Sequence, residues 1–366
     1  MHSFVLFINL SVKVFKLFSK AKPVKTMEEF EKALESRDCQ RILEILDDYL
    51  EKIENEDELR AFLEKVETLI LKCEGPDAYE LAHEIAHIYA HLGELDKRME
   101  IYKKLAEKYK KEREKYLDAL YHLADAYEHF GMPNKAIDAY EKLLKLEKKI
   151  GNKREEALTL AHIAINYDEL EEVDRAIELM NEASKMFKEL GDERNYLVGI
   201  LDLAHFHYEV GDYNRAEELI LEVLKSPRDV EIEVNARIVE AEIKAAQEDF
   251  KKAFSAVRFG LLKALEAEDE DLFTLAFEAL YEFITGLFEE KLYKEIYENI
   301  ESLAESFEDT NPEYTKFFIA IGELAKLKEG QENKYEEVYN SIEVNEFKEL
   351  LDELKKIGTT VLKIGF

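Results

Sequence analysis

A short turn returns along the chain at a nearly constant interval, and no other feature constrains the fold as tightly. It reads L-G-E-L at Leu92–Leu95, F-G-M-P at Phe130–Pro133, L-E-E-V at Leu170–Val173 and V-G-D-Y at Val210–Tyr213. Q-E-D-F at Gln247–Phe250 and T-G-L-F at Thr285–Phe288 continue the series. Turn positions 93, 131, 171, 211, 248 and 286 are separated by 38, 40, 40, 37 and 38 residues. Seven residues before each stands an alanine: Ala86, Ala124, Ala164, Ala204, Ala241 and Ala279. Five residues after come Ala136, Ala176, Ala216 and Ala253, with Arg98 and Lys291 breaking this second series at its ends. Small residues at two fixed points let the helices of a hairpin approach closely, while Leu120, Leu123, Tyr127, Ile137 and Tyr140 recur at helical spacing around them. A period of this size means stacked helical hairpins, each burying its apolar face against the next. Only 5 Pro and 13 Gly in 366 residues suit long helices joined by short turns. The expected fold class is all-α.

These alanines, Gly131, Gly211, Tyr213 and the further turns K-I-G-N (Lys149–Asn152) and E-L-G-D (Glu189–Asp192) resemble the tetratricopeptide repeat family. The likeness is to the variant whose helices run about a turn longer than the usual unit of roughly 34 residues. The resemblance implies a right-handed α-solenoid, a superhelix whose hairpins each contribute their first helix to a concave groove. Residues 76–267 carry the repeats, and 268–358 read as degenerate repeats and C-terminal capping helices, with Gly330 marking one more turn. Residues 26–75 form an atypical N-terminal cap with helices expected over Thr26–Ser36, Asp38–Glu54 and Asp57–Lys72. Thr26 and Glu29 have capping-box spacing.

Carrying the family's groove positions onto this chain selects Glu80, His83, Glu84, His87, His91, Tyr121, His122, Asp125, His129, His162, Asp202, His205 and Tyr208, a set holding seven of the nine histidines. The peptide-binding groove is assigned to His83, His87, Tyr121, His122, Asp125, His162, Asp202 and His205. Imidazoles donate or accept hydrogen bonds and stack on ligands, and the neighbouring carboxylates favour a basic or amphipathic peptide. Chaperone-binding members of the family grip a C-terminal carboxylate with Lys, Asn and Arg. The matching places here hold His83, His87, His122, Val198 and Asp202, so that cationic clamp is absent.

One catalytic motif is present. His83-Glu84-Ile85-Ala86-His87 spells H-E-x-x-H, which on a helix sets two His one turn apart to hold zinc, with Glu84 as base. His91 lies too far along the helix to join them, and His122 or Asp125 is the better third ligand. Ala86 is also the packing alanine of the repeat, so the repeat accounts for the motif. The expectation is therefore no metal site and no cofactor, with His83 and His87 as the alternative ligands. No phosphate loop, nucleophile elbow or kinase motif occurs, and Phe273, Phe277, Phe283 and Phe288 read as core.

A net charge of −31, from 51 basic and 82 acidic residues, repels phosphate backbones and argues against nucleic acid. Glu and Lys abound while Gln occurs only at Gln40, Gln247 and Gln331, a balance that matches hot-adapted proteins. Cys39 and Cys73 are too few and too distant in sequence to suggest a disulfide framework, which fits a reducing, cytoplasmic setting. Residues 1–25 carry five Lys and no Asp or Glu, with an apolar stretch from Phe4 to Phe18. They read as a leader, or as an anchor to a membrane surface or partner through residues 4–18, too short to span a bilayer. Residues 359–366 form an apolar tail that packs on the last repeat or pairs with a second copy.

The first functional expectation is a non-enzymatic scaffold or adaptor that holds a protein, peptide or helix. A ligand-responsive regulatory receptor is the alternative. A zinc-dependent hydrolase using His83-Glu84-x-x-His87 is the second alternative.

Overall fold

The computed structural model describes residues 27–36, 39–50, 56–70 and 77–357. The leader or anchor at 1–25, the capping box beginning at Thr26, Cys73 and the tail at 359–366 lie outside them. Every regular element among the described residues is an α-helix, so the chain is all-α. By internal contacts it divides into two compact units, Met1–Ala176 and Ile177–Phe366, with the division inside one long helix, α9 (Val173–Leu190).

In the first unit the helices are α1 (Met27–Ser36), α2 (Cys39–Leu50), α3 (Glu56–Ile70), α4 (Asp77–His91), α5 (Leu95–Lys108), α6 (Arg113–His129), α7 (Pro133–Ile150) and α8 (Lys153–Asp168). Consecutive helices from α4 to α8 pack on one another, while α2 and α3 pack against α4. Cys39, buried at the start of α2, is held in a disulfide. That corrects the expectation that the two cysteines are too few and too distant in sequence to suggest a disulfide, since distance along a chain sets no limit on distance in space.

The second unit continues with α10 (Glu193–Glu209), α11 (Tyr213–Leu224), α12 (Val230–Ala246), α13 (Phe250–Glu266), α14 (Glu270–Glu289) and α15 (Tyr293–Asn299). It ends with α16 (Glu301–Glu305), α17 (Pro312–Glu329), α18 (Tyr335–Ser341) and α19 (Asn345–Lys356). Neighbouring helices from α10 to α14 again pack pairwise. Asp192, Asp212, Asp229, Asp249 and Asp269 each accept a backbone N–H at the start of their helix, satisfying donors that the helix itself leaves orphaned. Phe288 is fully buried, and Phe273, Phe277 and Phe283 pack partly buried against the same core.

The alanine series has a direct structural meaning. Ala86, Ala124, Ala136, Ala164, Ala176, Ala204, Ala216 and Ala253 show no exposed surface, and Ala241 shows 4%. Each turn between paired helices is closed by the same bond, from the N–H after the turn position to the carbonyl four residues before the turn position. Examples are Glu94 to Tyr89 at 2.9 Å, Met132 to Tyr127 at 2.9 Å and Asp212 to His207 at 2.8 Å. This geometry needs one residue in the left-handed region. Gly93, Gly131 and Gly211 supply it, as do Glu171 (φ 61°), Glu248 (φ 59°) and Lys291 (φ 60°).

Lys291 corrects the turn expected at Thr285–Phe288. Helix α14 runs on through Gly286 to Glu289, and the closing bond joins Leu292 to Leu287. Leu287 and Phe288 are 4% and 0% exposed, so the apolar stripe that begins at Ala276 is buried only if the helix continues. Burying two large side chains outweighs the cost of about 1 kcal/mol for a glycine inside a helix. The alanine register shifts with the turn: Ala279 is only half-buried, and the two close-packing positions are filled by Ile284 and Ile296.

Candidate functional site

Six of the eight expected groove residues lie in the first unit, and packing of α4, α5 and α6 brings His83, His87 and His122 together. Helical spacing places His83 and His87 one turn apart on α4, with ring centroids 4.6 Å apart. His122 of α6 approaches both, at 4.7 Å from His83 and 5.7 Å from His87. A ring nitrogen from each lies within 4.8 Å of one from the other two.

Two residues outside the expected set organise this cluster. Tyr102 of α5 is fully buried, stacks on His122 at 4.9 Å and hydrogen-bonds His83 Nδ1 through its hydroxyl at 3.2 Å. Asp118 of α6 faces His83 Nδ1 at 3.9 Å and His122 Nε2 at 3.6 Å, and accepts a hydrogen bond from the Tyr79 hydroxyl. Burial pushes the Asp118 carboxyl up, but the hydrogen bonds from His122 and Tyr79 outweigh it and hold the group below its usual value. Burial lowers His87 to about 4, helped by the neighbouring His83 and His122. His83 is lowered by burial and by His122.

The next hairpin repeats the aromatic arrangement. Tyr140 of α7 stacks on His162 of α8 at 5.0 Å, as Tyr102 stacks on His122. Tyr121 meets the edge of His162, its hydroxyl 3.5 Å from Nε2. Glu128 stands 3.5 Å from His162 Nδ1 and is fixed by Asn166, whose amide donates to it at 2.6 Å. Tyr102 and Tyr140 each lie nine residues after a turn position, and Asp118 lies four before His122 on the same helical face. Those spacings were visible in the sequence. Reading only the first helix of each hairpin hid the two tyrosines, because they project from the second.

Asp125 has a different setting. Its carboxylate, 15% exposed, is hydrogen-bonded by the Arg98 guanidinium and lies 3.4 Å from His129 Nδ1. Arg98, which interrupts the alanine series, is thus a buried partner of the Asp125 carboxylate. His91 and His129 are exposed at helix ends.

Beside Tyr121 a cleft of about 450 Å³ opens between α6, α7 and α8. Leu117, Leu143 and Leu158 give it apolar walls, and Asp118, Glu114, Glu147 and Glu155 outnumber its one cation, Arg113. Glu147 is 6% exposed, and burial pushes its carboxyl up despite a hydrogen bond from Thr159.

The other two expected residues, Asp202 and His205, lie half-buried on α10 in the second unit. His205 stands 3.6 Å from Glu209 and 3.9 Å from Glu242, whose carboxyl is raised by burial.

Models of the tetratricopeptide repeat match residues 79–107 and 116–189, the stretch that carries this aromatic and imidazole array. Both stretches are tetratricopeptide repeats. Solved structures of similar fold include a Rap protein complexed with competence and sporulation factor, at 18% identity and a TM-score of 0.50, covering 89% of this chain and 98% of that one. The apo quorum sensor NprR from B. thuringiensis aligns at 14% identity and a TM-score of 0.49, over 89% and 97% of the two chains. BtubC from P. vanneervenii aligns at 18% identity and 0.48, over 67% and 94%. Among curated proteins none matches. No helix among the described residues is long and apolar enough to cross a membrane.

Proposed function

We propose that the chain is a non-enzymatic scaffold or adaptor that holds a basic or amphipathic peptide of a partner protein along α4, α6 and α8. The observation that carries this reading is the cleft beside Tyr121, whose ring meets the edge of His162. Its volume suits the side chains of a bound segment, its leucine walls take apolar anchors, and its carboxylates favour Lys or Arg beside them. Tyr121 and His162 are pre-positioned by Tyr140 and Glu128, so little ordering entropy is lost on binding. Selection of a displayed random-peptide library on the full chain tests the reading. Enrichment of sequences combining Lys or Arg with aliphatic residues is expected, and enrichment of acidic ones would overturn it.

A second reading, a ligand-responsive regulatory receptor, is favoured by the fold shared with a Rap protein complexed with competence and sporulation factor. A stack of hairpins joined by short turns can change pitch when a ligand adds contacts between repeats. Small-angle scattering with and without a selected peptide separates the two. Unchanged dimensions at saturation would leave the adaptor and remove the receptor.

A further inference from the structure

The geometry points to a transition-metal site made by His83, His87 and His122, of the kind that takes zinc. One ring nitrogen from each lies within 4.8 Å of one from the other two. Metal–nitrogen bonds of about 2.0–2.1 Å in a tetrahedral site set nitrogens roughly 3.3 Å apart, so ring rotations that close about 1.5 Å or less complete the triangle. Imidazole ligands select zinc, copper and nickel over magnesium and calcium.

The surrounding groups make this more than a coincidence of three rings. Asp118 faces Nδ1 of His83 and Nε2 of His122, and Tyr102 also engages His83 Nδ1. Those contacts occupy one nitrogen of each ring and leave the other, Nε2 of His83 and Nδ1 of His122, to ligate. His122 Nδ1 is buried without a hydrogen-bond partner, an unfavourable state for a polar atom unless something binds it. A carboxylate that holds the far nitrogen of a ligating histidine, itself oriented by another side chain, is the usual outer shell of a metal site. Here Asp118 serves two histidines, and Tyr79 orients Asp118. Three protein nitrogens leave a fourth tetrahedral position for water or for a donor from a bound partner.

The site stands independently of the peptide reading, because its test needs no peptide. Metal-free full-length chain is titrated with zinc alone in excess magnesium, which occupies the many surface carboxylates, and with cobalt to read coordination from visible absorption. One tight zinc per chain and cobalt bands of tetrahedral intensity are expected. Asp118→Asn should weaken zinc binding on the order of 10–100-fold, and His87→Ala and His122→Ala should weaken it more. His91→Ala, an exposed histidine on the same helix, should leave it unchanged. Circular dichroism of the metal-free variants reports whether they fold, and His87→Ala serves if His122→Ala does not. Zinc binding to wild type no tighter than to His87→Ala, or lost equally in His91→Ala, would overturn the site.

Discussion

At the scale of single residues, the pairing of Arg98 with Asp125 sets the clearest expectation. Both are largely removed from water, and each would be left as an uncompensated charge without the other. Arg98→Ala should therefore cost on the order of 3 kcal/mol in unfolding free energy. Arg98→Met combined with Asp125→Leu should cost much less than either single change, because no charge is left behind. Denaturant melts of the three variants check this, and equal losses in single and double variants would exclude the pair. Glu147 gives the pH-dependent case. Its carboxyl is raised by burial, with Glu155 and Glu156 adding to the shift and Thr159 opposing it. Between the ordinary and the raised value, the folded chain thus holds a proton that the unfolded chain releases. The stability this contributes is present below the ordinary Glu range and is lost as pH rises through the raised value. Glu147→Gln should keep it, raising the melting temperature near neutrality by about 2–4 °C, the shift that roughly 1 kcal/mol gives. A melting temperature that falls equally with pH in both proteins would contradict it. Family register alone singles out His83, His87, His122 and His162, and the first three come together in space. The partners of Asp118, Tyr102 and Arg98 on other helices were not legible in the sequence, because contacts between helices are set by packing, which no spacing within one helix encodes.

At the scale of elements, the turns at Gly93, Gly131, Glu171, Gly211 and Glu248 were legible from the repeat, and the one read at Gly286 was misplaced. Gly286 looked like a turn glycine but lies inside α14, while the true turn falls at Lys291. Local turn chemistry lost to the burial of Leu287 and Phe288, a term that a four-residue motif does not contain. The same turns support a paired test. Gly211 and Glu248 occupy equivalent left-handed positions, where a side chain costs roughly 1–2 kcal/mol. Part of any gain from glycine is lost to the entropy of the unfolded chain. Glu248→Gly should then stabilise by about 0.5–1 kcal/mol, and Gly211→Ala should destabilise by about 1 kcal/mol. Chemical denaturation reads both, and a loss of stability in Glu248→Gly would show that its side chain contributes more than the backbone strain removes.

For the whole molecule, the repeat, the all-α class and the acidic balance were all open to reading from the sequence. The disulfide at Cys39 was not, since two cysteines so far apart in sequence give no pattern along the chain. A net charge of −31 acts over the whole surface and draws cations in solution toward it, an effect that salt screens over about 10 Å at 0.1 M. The acidic cleft beside Tyr121 adds to that field where the peptide is proposed to lie. Its occupation is tested most directly by fluorescence-anisotropy titration of a basic, leucine-containing peptide from the library selection. Wild type is compared with the Tyr121→Ala, His162→Ala double variant at low and high salt. An affinity that falls with salt and drops about tenfold or more in the variant, a loss of roughly 1.4 kcal/mol or greater, is expected. Equal affinity for the two proteins would contradict it.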